Sequence, residues 1–315
     1  MPETNPPSSV QPRSDPPFCG AVDWGTTRFR LWLLDRGGGV LAEARGPEGM
    51  TRAAETGFEA VLRGRLAEVG APAGLPILIC GMAGARQGWV EAPYVAVPAG
   101  LTGLADRAAR VDTALGDVRI LPGLCRADRA APDVMRGEET QLLGLDPAAG
   151  AALLCMPGTH CKWVETEDGT VLRFRTAMTG ELFDVLGRHS VLRHALAPDA
   201  AGPDADDPAF RAAAARALAD PDPLGALFAL RAARLLGFAE PATGAAELSG
   251  LLIGAEVAAA RRRHPGHDRV TLVASGPIAG LYDAVLRAAG FTVIPVDAEA
   301  ATRRGLFAAA RHLWP

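Results

Sequence analysis

Two short segments of this sequence carry the same set of groups for holding an anion. Asp23-Trp24-Gly25-Thr26-Thr27 closes the apolar run Cys19 to Val22, and Pro157-Gly158-Thr159-His160 closes the apolar run Ala151 to Met156. A strand that runs into Gly-Thr turns backbone N–H groups and hydroxyls toward a ligand, because glycine lets the chain approach closely and reach unusual φ angles. Two such loops facing each other would grip the two ends of a polyphosphate. Asp23, at the strand end, is the natural carboxylate for a phosphate-bound Mg2+, a small cation that prefers hard oxygen ligands. Alone, Asp-Trp-Gly reads equally well as a β-turn whose Asp caps local N–H groups; the second loop favours anion binding.

Between the loops stands Met135-Arg136-Gly137-Glu138-Glu139-Thr140-Gln141. Transfer of a phosphoryl group to a hydroxyl needs a carboxylate to take the proton and cations to neutralise the charge in flight. Glu138 and Glu139 are the candidate bases; neighbouring helix positions point about 100° apart, so one of the two faces a cleft. The bland alternative is a pair of solvated acids complementing the start of a helix. Of 32 basic residues, Lys162 is the only lysine. It follows the second loop, where its ammonium would reach an anionic ligand or lie on the surface. Arg30 and Arg136 sit beside the other motifs as anion binders or as surface ion-pair partners. Trp24, Trp89 and Tyr94 would wall a ligand site or simply pack. His160 is a phosphate donor or an imidazole satisfied by backbone. Cys155, His160 and Cys161 make no metal set, because adjacent strand residues face opposite ways.

The elements that must present these groups follow from pattern. Each loop joins a buried strand to a cationic, aromatic strand closed by a Gly turn and a returning strand, so strand, loop, strand, turn, strand occurs twice, a domain-sized step apart. On the strand after the first loop, the period of two sets Arg28, Arg30 and Trp32 on one face. Helical patterns cover 53–70, a start at 135–145, then 180–195, 208–218, 223–236 and 245–263, with further strands at 75–80, 118–121, 270–274 and 292–296. An exposed loop is expected near 198–208. The last helix, about 298–312, is free to pack on either half.

Composition bounds the rest. A chain of 315 residues exceeds one core, so two domains with a cleft between them are expected. Residues 1–17, rich in Pro and Ser, read as a disordered tail, 18–145 as the N-terminal domain and 146–315 as the C-terminal one. At 49% apolar with a net charge of -4, the chain reads as an α/β protein without a nucleic-acid partner. No apolar stretch is long enough for a membrane span. Five scattered cysteines without a CxxC pair point to buried thiols in a reducing, cytoplasmic setting.

Several of these blocks, in this order, resemble one family. Asp23-Trp24-Gly25-Thr26-Thr27 with Arg30, Gly81-Met82-Ala83-Gly84 with Gly88-Trp89 and Glu91-Ala92-Pro93-Tyr94, the Met135 to Gln141 block, and Met156-Pro157-Gly158-Thr159-His160-Cys161-Lys162-Trp163 are similar to 2-dehydro-3-deoxygalactonokinases, within the superfamily of sugar kinases, Hsp70 and actin. The resemblance implies two actin-like (ribonuclease H-like) ATPase domains flanking a nucleotide cleft. It also implies ATP and Mg2+, with phosphorylation of 2-dehydro-3-deoxy-D-galactonate at its 6-hydroxyl in galactonate catabolism. By analogy with related exopolyphosphatases, which carry a similar Glu-Glu block, it favours Glu138 as base over Glu139. It sets Ser275-Gly276 at the adenosine loop, with Glu256 either reaching the ribose or remaining a solvated acid. The same block leaves a phosphohydrolase open as an alternative, and the superfamily leaves a non-catalytic nucleotide-dependent module. Oligomeric state stays open, a homodimer being one option.

Overall fold

The computed structural model describes residues 16–145, 150–197, 202–220 and 222–315. The tail expected over 1–17 lies outside the described residues as far as residue 15, and Pro17 already begins a strand. Strands β1 (Pro17–Trp24), β2 (Phe29–Asp35) and β3 (Val40–Gly46) form an antiparallel meander. Helices α1 (Met50–Thr56) and α2 (Phe58–Glu68) follow; Gly57, at φ 91°, splits the single helical pattern read over 53–70. β4 (Ile77–Gly81) then pairs parallel with β1. Six short strands come next: β5 (Tyr94–Ala96), β6 (Ala99–Gly100), β7 (Ala109–Val111), β8 (Val118–Ile120), β9 (Gly123–Arg126) and β10 (Asp133–Met135). The helix expected to open at Met135 begins after Gly137, as α3 (Glu138–Leu143).

The second half repeats the plan with β11 (Ala151–Met156), β12 (Cys161–Glu167) and β13 (Thr170–Ala177). Helices α4 (Thr179–His189), α5 (Pro208–Ala219), α6 (Pro223–Leu235) and α7 (Gly244–Arg263) come between this meander and β14 (Arg269–Val273). The chain ends with α8 (Pro277–Ala288), β15 (Thr292–Val296) and α9 (Ala298–Leu313). Of the loop expected near 198–208, residues 198–201 lie outside the described ones; Asp207 caps α5 by accepting from the Ala209 N–H at 2.7 Å.

One sheet runs β3-β2-β1-β4-β8-β7 and another β15-β14-β11-β12-β13-β6. From each meander outward, third, second, first, fourth and fifth strands follow in the same order. In both, the meander is antiparallel and the fourth and fifth strands join in parallel, while β7 and β6 each close one edge antiparallel. The fold is thus α/β, built on two actin-like, ribonuclease H-like sheets. β5, β9 and β10 form a small third sheet.

Helix α9 returns to the first sheet. Leu306, Ala309 and Ala310 bury against Cys19, Trp32 and Cys80 on one face of that sheet, while Phe58 and Leu62 of α2 cover the other. Glycines let α9 touch α3 backbone to backbone: a Cβ on Gly144 would collide with the Ala301 carbonyl, and one on Gly305 with that of Thr140. The helix that carries Glu138 is therefore clamped by the end of the chain.

Candidate functional site

The parallel and antiparallel ladders place Asp23 between Arg30 on β2 and Cys80 on β4. Arg30 Nη1 donates to Asp23 Oδ2 at 3.3 Å, and Arg30 Nε lies 3.7 Å from Glu299 Oε2 at the start of α9. Burial pushes the Asp23 carboxyl up, with Arg30 pulling the other way. The loop after Asp23 is held by the entry to α1: Met50 N donates to Gly25 O at 2.9 Å and Thr51 N to Thr26 O at 3.2 Å, leaving Thr26 and Thr27 exposed. Trp24 points the other way, fully buried, its Nε1 donating to Glu48 O at 2.9 Å.

Beside Asp23, β4 ends at Gly81, whose φ of 89° and close approach to the Trp24 carbonyl exclude any side chain. The backbones of Gly81 and Gly137 lie against each other, which brings the start of α3 next to Asp23. Glu138 and Glu139 then part company. Glu139 is buried, and both its oxygens accept from the Gly137 N–H, at 3.0 and 2.7 Å; Oε1 also accepts from Thr140 Oγ1 at 3.0 Å. Glu138 remains partly open, with Oε2 accepting from Arg136 N at 3.1 Å. Burial raises both carboxyls; Lys162 draws Glu138 back down, whereas Glu138 pushes Glu139 further up, to about 8.

A carboxyl whose folded pKa lies above its unfolded value costs stability once pH passes the unfolded value, and the cost grows until the folded value is reached. For Glu139 that window runs from about 4.5 to about 8. Glu139→Gln should accordingly melt at about the same temperature as the parent near pH 4.5 and several degrees above it at pH 8. Parallel melting curves across that range would disprove it.

The second loop faces the same helix. Lys162 is buried, and its ammonium donates to Val134 O at 3.1 Å and to Thr176 Oγ1 at 2.9 Å. Thr176, its cross-strand partner on β13, is fixed by Asp133, which accepts from Thr176 N at 2.7 Å and from Thr176 Oγ1 at 2.6 Å. The lysine is thus not a surface residue; it is locked beside Glu138. Asp133 and Thr176, which do the locking, belong to no motif of the sequence. Thr159 and His160 are exposed, and His160 pairs with Glu181 of α4.

Helix α4 presses on this loop through Gly180, where a Cβ would strike the Gly158 carbonyl, and Glu181 N donates to Thr159 O at 3.0 Å. Gly180→Ala should therefore displace the loop, raising the KM for nucleotide by about tenfold, and lower the melting temperature by several degrees because the clash is with backbone. An unchanged KM would show that α4 does not set the loop. Glu256 neither reaches outward nor meets solvent freely. It accepts from Trp163 Nε1 at 2.7 Å, from Tyr282 OH at 2.7 Å and from Thr179 Oγ1, tying β12, α4, α7 and α8 together behind the loop. Cys155 and Cys161 lie beside it with their sulfurs 3.8 Å apart.

Arg136 is the one arginine or lysine among the described residues with buried, unpaired nitrogens. Its Nη2 donates to Ala92 O at 2.8 Å and its guanidinium lies 4.4 Å from the Tyr94 ring centre, yet Nε and Nη1 are buried without an acceptor. Trp89 stacks on Phe58 and packs against the first core. Ser275 donates to Asp297 Oδ2 at 2.7 Å and accepts from Ala298 N at 3.0 Å, so it supports the Asp297 cap of α9 next to Glu299. Gly276, at φ 70°, opens α8. Between α4, α7 and α8 lies an apolar cavity of about 210 Å3 that reaches from Thr179 and Gly180 to Pro277 and Tyr282. No sequence signal marked Glu299 or this cavity; both arise only when α8 and α9 fold back.

For a hydrated Mg2+ the donor set fits. Asp23 supplies a carboxylate at the strand end, with the exposed Thr26 and Thr27 hydroxyls next to it, all hard oxygens.

This arrangement has counterparts. The family model described as 2-keto-3-deoxy-galactonokinase matches residues 23–309. A probable 2-dehydro-3-deoxygalactonokinase from Rhizobium meliloti (strain 1021) is 52% identical over 301 residues, covering 95% of this chain and 98% of the relative. The 2-dehydro-3-deoxygalactonokinase of Escherichia coli (strain K12) is 38% identical over 290 residues, covering 91% and 95%. A crystal structure of a protein assigned as 2-dehydro-3-deoxygalactonokinase from Sinorhizobium meliloti superposes with a TM-score of 0.90 at 51% identity, over 95% of this chain and all of that one. With the family model spanning both loops, the acidic helix and the final helix, the chain belongs to the 2-keto-3-deoxy-galactonokinase family.

Proposed function

We propose that this chain transfers the γ-phosphoryl group of ATP to the 6-hydroxyl of 2-dehydro-3-deoxy-D-galactonate, releasing ADP. The observation that carries the reading is the position of Glu138, a half-enclosed carboxylate at the entry of α3, beside Asp23 of the first loop and Lys162 of the second. One oxygen is held by the Arg136 N–H, which orients the carboxylate and leaves the other to accept the hydroxyl proton. As that proton leaves, the sugar oxygen bonds to the γ-phosphorus and the bond to the β,γ-bridging oxygen breaks. Backbone N–H groups and hydroxyls at Gly25, Thr26, Thr27, Gly158 and Thr159 hold the polyphosphate, His160 adds a donor, and Lys162 offsets charge on the transferring group.

Arg136, with two donors unclaimed and Tyr94 flanking it, receives the carboxylate of the sugar acid. Arg30 steadies Asp23, which would hold Mg2+; that ion supplies charge neutralisation between phosphates. Ser275 and Gly276 border the nucleoside end, with the cavity beside Thr179 and Pro277 taking the base. Residues 18–145 and 146–315 act as the two closing halves, α9 returning across them, and closure excludes water that would otherwise accept the phosphoryl group. No helix among the described residues is long and apolar enough to cross a membrane, and we place the enzyme in the cytoplasm, without nucleic-acid partners.

The direct test incubates the protein with ATP and Mg2+, with and without 2-dehydro-3-deoxygalactonate, while following ADP and free phosphate. ADP that depends on the sugar acid and appears without free phosphate is the expected result. Phosphate release without sugar would make the chain a phosphohydrolase, and nucleotide binding with neither would make it a conformational module.

A further inference from the structure

Helix α6 is apolar on two opposite faces. Leu230 packs inward against Leu192, Leu248 and Leu251, while the 3.6-residue period gathers Leu224, Phe228, Arg231 and Leu235 along the outward side. Leu224 is 83% exposed, Phe228 62% and Leu235 64%; Leu236 and Phe238, just beyond the helix, are 65% and 80% exposed. A helix apolar all round is normally enclosed. Phe238 turns onto another flank of α6, where it lines a cavity with Gly225, Ala229 and Ala233; the other four side chains present on the order of 500 Å2, near the upper size for a patch on a monomer and approaching the roughly 800 Å2 that each partner contributes to a standard interface. Leu182 of α4 and Met178 just before it add to the patch, since they line one cavity of about 310 Å3 together with Pro223.

Nothing among the described residues covers this face, and the residues outside them offer little apolar surface to do so. Outside the described residues, 1–15 hold only Met1 and Val10 as apolar side chains apart from proline, and 146–149, 198–201 and 221 consist of Asp, Pro and Ala. The charges around the stripe favour a second copy over a lipid surface. Asp220 and Asp222 stand at one end of α6, Arg231 and Arg234 toward the other, and Glu240 just past it. Two copies of α6 antiparallel about a two-fold axis would set the acidic end of each over the basic end of its mate, with the leucine and phenylalanine stripes meeting between them. An anionic bilayer would instead meet Asp220, Asp222 and Glu240.

We infer that the outward face of α6, extended by Leu236, is the surface through which two copies of this chain associate. Sedimentation velocity and light scattering between about 1 and 50 µM, a range in which standard interfaces are occupied, should give twice the 32.7 kDa of one chain. The double variant Phe228→Glu/Leu235→Glu should run as a single chain with an unchanged far-ultraviolet spectrum and melting temperature, both sites being exposed. Phe228→Cys, near the axis, should form an intermolecular disulfide under mild oxidation. Wild-type protein that stays a single chain over the whole range, a dimer that survives the double substitution, or a single chain that instead floats with phosphatidylcholine vesicles would each overturn the assignment.

Discussion

Glu138→Gln is expected to lower kcat by about 10³, the middle of the range for losing a general base, while the Kd for ATP stays within about twofold of the parent. The amide keeps the size of the side chain, and its oxygen still accepts from the Arg136 N–H, but it has no lone-pair oxygen basic enough to take the hydroxyl proton. Steady-state kinetics with calorimetric nucleotide binding separates the two quantities. The parent's pH profile gives a second reading. Burial raises the Glu138 carboxyl and Lys162 only partly offsets this, so protonation, and with it loss of kcat, should set in at a pH above the ordinary glutamate range as pH falls. That acid limb should be missing from the residual activity of the Gln variant. A kcat within threefold of the parent would transfer the role away from Glu138, with Glu139 next in line. Glu139 is the poorer candidate on geometry, because both its oxygens are already engaged by the Gly137 N–H.

Arg136→Met should reduce kcat/KM for the sugar acid by about 10²–10³, the cost of removing one partner from an enclosed charge pair, and should leave ATP binding intact. The discriminating readout is stability. A cation whose Nε and Nη1 are buried without acceptors is unfavourable in the ligand-free protein, so an apolar side chain of similar length should preserve or raise the melting temperature. A residue kept for structure would behave in the opposite way. Arg136→Lys should restore little, since a point charge does not replace a planar fork across a carboxylate. If Arg136→Met melts lower and its KM for the sugar acid is unchanged, the guanidinium is a packing element and the carboxylate is bound elsewhere.

What could be read along the chain was what neighbours in sequence decide. Runs of alternating or continuous apolar residues ending in Gly-Thr mark strands that empty into loops, and the same local order at Gly25 and Gly158 foretold two sheets of one topology. The long helices α4 to α7 were legible for the same reason, their period being a property of the segment itself. Lys162 was conspicuous by residue type alone. The strands β5, β6, β7, β9 and β10 were not legible, because segments of two to four residues have too few side chains for a period and exist only through partners such as Gly169 and Val171 across the fold.

The site divides along the same line. Residue type and spacing nominated Asp23, the Glu-Glu pair and Lys162, but the choice between Glu138 and Glu139 depends on the angular phase of α3. That phase is set where Gly144 and Gly305 let α3 and α9 touch, more than a hundred residues apart in the chain. Whether Arg136 finds an acceptor, whether Lys162 is locked by Asp133 and Thr176, and that Glu299 stands beside Arg30 are likewise outcomes of packing. Local propensity carries no information about which distant surface a helix will meet, so burial and the charge environment that follows from it were left to the tertiary structure.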